Sequence, residues 1–182
     1  AADLLPWLIV RNARVKLEDA GGSRTLPLQA FVTGPGTTAI RETEIVTRII
    51  VPERAPAGSK AKTPAPGFWY YRKVSPRRSN ALSKLSVFAE AERTAGGELA
   101  SLRLTIGAVA PTVVRVSEAE EMVTGLSARA ILEKTEDLLA LYGKAIVPID
   151  DQRSTATYRK HTALALIKHI LEEKLPSYLE QT

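Results

Sequence analysis

The sequence predicts an α+β fold: the end of a mixed α/β domain, followed by a three-stranded antiparallel sheet packed with helices. Three observations predict it. Short strands with alternating apolar residues, separated by turn residues, fill the first 110 positions. A stretch rich in Pro, Ala, Gly and Lys at 55–66 carries no apolar period and reads as a linker or surface loop. Beyond Ser117 the apolar spacing becomes helical and stays so to the end. The chain therefore divides into residues 1–54, the connecting 55–66, and 67–182.

Asp3 to Val10 reads as a short helical turn whose apolar face is Leu4, Leu5, Leu8 and Ile9. Ala13 to Leu17 alternates apolar residues with Arg14 and Lys16, and Arg24 to Leu28 returns after an Asp19 to Ser23 turn, which makes a hairpin. Gly34-Pro35-Gly36 marks a loop. Glu44 to Pro52 is a β-branched strand ended by proline. Past the linker, three strands are expected: the aromatic Phe68 to Val74, the alternating Leu85 to Ala91, and Leu99 to Val109 after the Gly96-Gly97 turn. Ser117 and Glu120 have capping-box spacing for a helix that Gly125 ends. Ser127 opens a longer helix stopped by Gly143; Ser154 opens the last one, closed by Pro176.

Composition narrows the function. With 45% hydrophobic residues a folded core is feasible. Twenty-five Lys and Arg against 20 acids leave a net charge of +5, yet the cations are scattered among acids, so nucleic-acid binding ranks last. An acidic partner subunit or a diphosphate-bearing cofactor suits the same charge. The absence of cysteine excludes disulfides, thiolate metal sites and iron–sulfur ligation by this chain. His161 and His169 lack a third ligand at useful spacing and read as helix residues, so no metal is assigned. No apolar run approaches the roughly 20 residues of a transmembrane helix, and the start lacks the basic region of a signal peptide. The expectation is a cytoplasmic protein without membrane partners. The missing initiator Met points to a natural N-terminus further upstream.

The usual catalytic and phosphate-binding motifs are absent, and no catalytic residue is assigned. Glu118, Glu120 and Glu121 fall in a first helical turn, where acids favour the dipole. One stretch carries more chemistry. Phe68-Trp69-Tyr70-Tyr71 followed by Arg72, Lys73, Arg77 and Arg78 sets ring stacking beside anion pairing. Asp150 to Arg159 reads as an N-capped helix start without chemistry.

Six segments, in order, match one pattern. They are the opening Ala-Ala-Asp-Leu-Leu-Pro, Gly22 to Leu28, Glu42 to Thr47, Tyr71-x-Lys73-x-x-x-Arg77, Ile106 to Thr112, and Asp151-x-Arg153-Ser154-Thr155-Ala156-x-Tyr158-Arg159. Together they resemble the FAD-binding subunits or domains of the xanthine dehydrogenase and carbon monoxide dehydrogenase group, and the resemblance spans nearly the whole chain. It implies that residues 1–54 form the second half of a flavin-binding domain and 67–182 its C-terminal α+β domain. It also implies an FAD-holding subunit of a molybdenum hydroxylase, passing electrons from iron–sulfur clusters through FAD to an external acceptor. The partners would be the N-terminal part of the same subunit, a large subunit with the molybdopterin cofactor and a small iron–sulfur subunit.

By position, the resemblance puts Asp3 on the polar part of the flavin nucleotide and Val46 near the isoalloxazine ring. Lys73 tunes that ring, Tyr71 stacks on or covers it, and Arg77 steadies the site or pairs with the diphosphate. Two departures matter. The Gly-rich diphosphate loops precede the position matched by Ala1, so the chain alone is expected to bind FAD weakly or not at all. The acidic residue expected after the Arg is replaced by Arg78-Ser79-Asn80-Ala81, which leaves the partners of Arg77 open. The rival reading is a flavin-free assembly module of the same fold.

Overall fold

The computed structural model describes residues 3–53, 67–77 and 79–181. The linker read over 55–66 lies outside the described residues, as do Ala1, Ala2 and Arg78. Helix α1 (Leu5–Val10) is followed by β1 (Arg14–Asp19), β2 (Gly22–Pro27), α2 (Leu28–Phe31), β3 (Val32–Gly34), β4 (Thr37–Thr38) and β5 (Ile45–Ile50). The hairpin expected near Asp19 forms, and its strand β1 also pairs with β5, giving the antiparallel order β2-β1-β5. Gly36, with φ +71°, turns the chain between β3 and β4, a conformation that suits glycine.

The second sheet holds β6 (Phe68–Val74), β7 (Leu85–Arg93), β8 (Leu99–Gly107) and β9 (Val114–Arg115), in that order and antiparallel throughout. The three expected strands are thus joined by a fourth of two residues, too short to show a period in the sequence. Odd-numbered residues of β7 and even-numbered residues of β8 (Leu85, Val87, Ala89; Leu102, Leu104, Ile106) face the helices α3 (Ser117–Val123), α4 (Ala128–Glu133), α5 (Thr135–Ala145), α6 (Ala156–His169) and α7 (Leu175–Leu179). The sequence of β7 alternates apolar residues with others, yet Leu85 to Ala91 are all buried. The reason is α1, which lies across the other face of β7 and β8. Thr105 Oγ1 donates to the Pro6 carbonyl (3.0 Å), Arg103 Nη1 to the Val10 carbonyl (3.1 Å), and Arg11 pairs with Glu90 (3.2 Å).

Several helix boundaries correct the sequence reading. Ser117 is the first residue of α3 and caps nothing; Val116 is the N-cap, and Glu120 turns inward to accept from Leu104 N (2.9 Å) and Arg115 (2.7 Å). A buried carboxylate with a strand amide and a guanidinium to satisfy it outweighs a cap bond. Gly143 does not stop its helix, since α5 runs on to Ala145. Glycine in a helix costs roughly 1 kcal/mol, less than burying Tyr142 and Ile146 on either side returns. The same run breaks earlier, at Lys134, into α4 and α5. Pro176 does not close the last helix either. A π-helical turn at Ile170–Lys174 follows α6, and Pro176 sits in the first turn of α7, where a missing N–H is harmless.

Candidate functional site

Docking of α1 on β7 and β8 decides where the residue before it goes. Asp3 precedes α1 by two positions, and the helix delivers it to β6, the neighbouring strand. There Lys73 Nζ donates to Asp3 Oδ2 at 2.7 Å across 70 residues of sequence. Ser83, in the loop between β6 and β7, donates to the other oxygen, Oδ1. Burial would push the Asp3 carboxyl up, but the hydrogen bonds from Lys73 and Ser83 hold it below its ordinary value, so it is ionised at neutral pH.

Strand register sets what stands beside this group. Trp69, Tyr71 and Lys73 pair with Glu90, Phe88 and Ser86 of β7, which puts all three on the α1 side of the sheet. Phe68, Tyr70 and Val74 face the helical core instead. Burial and the charge of Asp3 push the Tyr71 phenol up, with Lys73 opposing, so Tyr71 stays neutral and offers a ring and a hydroxyl to the surface.

Of the sequence-predicted residues, Asp3 and Lys73 thus meet, and Tyr71 stands two positions before Lys73 on the same face of β6. Val46 and Arg77 are outside that hydrogen-bonded group. Val46 lies on β5 opposite Leu17, next to a register shift between Lys16 and Leu17, and is 45% exposed. Leu17 belongs to the small core formed with Ile9, Ala13, Val15 and Leu28. That core covers β1 and stops there, leaving Val46 and Ile49 as its open margin. Arg77 donates from Nε (3.0 Å) and Nη2 (2.5 Å) to the Asn80 carbonyl, so it closes its own loop.

Ser83 was missed, because a lone serine in a loop has no spacing to mark it. Asp151 and Arg159, read as a helix start without chemistry, form a different feature. Thr155, one residue later than expected, caps α6 by accepting from Tyr158 N. Asp151 accepts from Arg153 (2.7 Å) and Arg159 (2.5 Å), which holds its carboxyl well below the usual carboxylate range. Arg159 is 3% exposed, and its Nε has no hydrogen-bond partner among the described residues. This group borders a mostly apolar cavity of about 320 Å³ lined also by Leu5, Val32, Gly107, Pro111, Val147 and Ile149, and neither Asp3 nor Lys73 lines it. His169 contacts Glu173 (3.1 Å) and packs edge-on to Tyr70, and no group of three potential metal ligands occurs among the described residues. Among them, too, no helix is long and apolar enough to cross a membrane.

Comparison with known proteins adds an independent line. Residues 69–174 match the family model of the CO dehydrogenase flavoprotein C-terminal domain, and residues 1–54 match that of the FAD binding domain in molybdopterin dehydrogenase. The glyceraldehyde dehydrogenase medium chain of Sulfolobus acidocaldarius is 31% identical over 95% of this chain and 57% of its own length. The carbon monoxide dehydrogenase medium chain of Hydrogenophaga pseudoflava is 26% identical over 90% of this chain and 52% of its own. Among solved structures, quinoline 2-oxidoreductase from Pseudomonas putida 86 superposes with a TM-score of 0.76 at 16% identity, covering 99% of this chain and 57% of that one. Carbon monoxide dehydrogenase from Hydrogenophaga pseudoflava does so at 0.73 and 25% identity, over 90% and 53%. The chain spans just over half the length of the relatives it matches.

Proposed function

Because the chain belongs to the family of FAD-binding flavoprotein subunits of the xanthine dehydrogenase and carbon monoxide dehydrogenase type, we propose that it forms one wall of a flavin site in a molybdenum hydroxylase. FAD, once held, would supply the two-electron chemistry that links a molybdenum centre to an external acceptor. The chain's own part is to hold and tune. Lys73 provides a cation, and a cation near the ring favours the reduced cofactor, which can be anionic. Asp3 anchors that cation and bonds the polar part of the nucleotide. Tyr71 presents its ring on the same face, and Val46 supplies an apolar contact at the open margin of the small core. Arg77 steadies the loop after β6. The expected partners are the preceding part of the same subunit, a large molybdenum subunit and a small iron–sulfur subunit.

The observation that carries this reading is the Asp3–Lys73 pair at 2.7 Å, which joins the two family-matched segments at a site with an aromatic ring beside it. An acid, a base and an exposed tyrosine on one sheet face fit a flavin, whose ring stacks and whose polar edge hydrogen-bonds. The test uses the complete flavoprotein subunit. Lys73→Ala is expected to lower the flavin midpoint potential by roughly 30 mV, a tenfold loss of preference for the reduced form, or to weaken FAD binding about tenfold. Unchanged flavin content and potential would remove Lys73 from the site. A complete subunit that stays colourless would favour the flavin-free assembly role instead.

A further inference from the structure

Asp3 is gripped at both oxygens, and the two grips differ. Lys73 reaches Oδ2 from the end of a flexible four-carbon stem that is partly exposed. Ser83 reaches Oδ1 from a buried position, 1% exposed, with one rotatable bond between hydroxyl and backbone. Its backbone is fixed as well: Lys84 N donates to the Val74 carbonyl at 2.8 Å, closing the loop, and Leu85 next to it is fully buried. A donor fixed in this way orients a carboxylate better than a mobile one, because little freedom remains to be lost when the bond forms.

We propose that Ser83 is a positioning residue of the flavin site: by donating to Oδ1 of Asp3 it fixes the carboxylate plane, leaves Oδ2 to Lys73, and so sets how both groups meet the cofactor. The proposal rests on the flavin-site reading above and adds to it a residue that the motif does not contain. Ser83 touches neither cofactor nor reacting atoms; it acts through Asp3. Without the hydroxyl, Lys73 is the one side chain among the described residues that still holds Asp3, and a lysine engaged by a swinging carboxylate no longer keeps one place beside the ring.

The experiment is a double-mutant cycle in the complete flavoprotein subunit, with FAD dissociation constant and flavin midpoint potential as readouts. Ser83→Ala removes one hydroxyl without adding volume, so folding should persist; a thermal melt checks it. The expected result is a rise in the FAD dissociation constant of roughly three- to tenfold, the size of one ordinary hydrogen bond, together with a shifted potential. In an Asp3→Ala background, which removes the acceptor, adding Ser83→Ala should change neither quantity further. The proposal is overturned if Ser83→Ala leaves both at wild-type values, or if its effect is equally large in both backgrounds. If Asp3→Ala and Lys73→Ala respond but Ser83→Ala does not, only the serine's role is lost. If neither Asp3→Ala nor Lys73→Ala responds, the flavin-site reading is lost, and the serine's role with it.

Discussion

Glu44 shows how much a single residue's role depends on folding. In the sequence it opens a β-branched strand; in the structure it sits buried just before β5, accepting from Arg24 Nη2 (2.8 Å) and Arg41 N (2.7 Å). Arg24 and the Arg41 amide outweigh desolvation and hold its carboxyl at about 2, below its ordinary 4.5. A depressed carboxylate contributes stability that is complete above the unfolded value and lost as pH falls through the folded one. The urea midpoint is therefore expected to fall between about pH 4.5 and 2, and Glu44→Gln should flatten that limb while lowering the midpoint at neutral pH. A wild-type limb that Glu44→Gln leaves equally steep would contradict the assignment. Tyr71 and Lys73 were legible because aromatics beside cations form a compact sequence signal. Ser83, Glu120 and the Arg24–Glu44 pair were not, since each is defined by partners that only the topology brings near.

Elements were legible where an apolar period ran long enough, as in β7, β8 and α6. Their ends were not, because ends are decided by competing local contacts. Ser117 lost its capping role once Glu120 was drawn to the Leu104 amide, and Pro176 fell at a helix start rather than an end. Thr155 is a cap that does form, accepting from Tyr158 N at 3.2 Å ahead of the fourteen-residue α6. Thr155→Ala is expected to destabilise the fold by about 1 kcal/mol, as for other lost caps, and Thr155→Ser to retain most of it. Chemical denaturation of the two variants side by side checks this. Equal losses would mean that the methyl, not the hydroxyl, matters there.

At the scale of the molecule, one surface stands out. β5 is the outer strand of its sheet and shows Ile45, Val46, Ile49 and Ile50 to solvent. An apolar edge strand is a template for pairing with another chain. The isolated chain is expected to self-associate at micromolar concentration in sedimentation runs, and Val46→Lys with Ile49→Lys should shift it toward monomer. A monomeric wild type would show that this edge is not adhesive. The placement of α1 could not be read from the sequence, since its six residues carry no mark of which sheet they will cover.

That placement has a consequence for how the molecule would come apart. By sequence α1 belongs with β1 and β2; by packing it is strapped to β7 and β8 through Thr105, Arg103 and the Arg11–Glu90 pair. A single cut anywhere between Glu53 and Gly67 would therefore not release two free halves. The front fragment would remain hooked onto the rear one by its first helix, and separating them would strip the cover from Phe88 and Thr105 and leave Arg11 without its carboxylate.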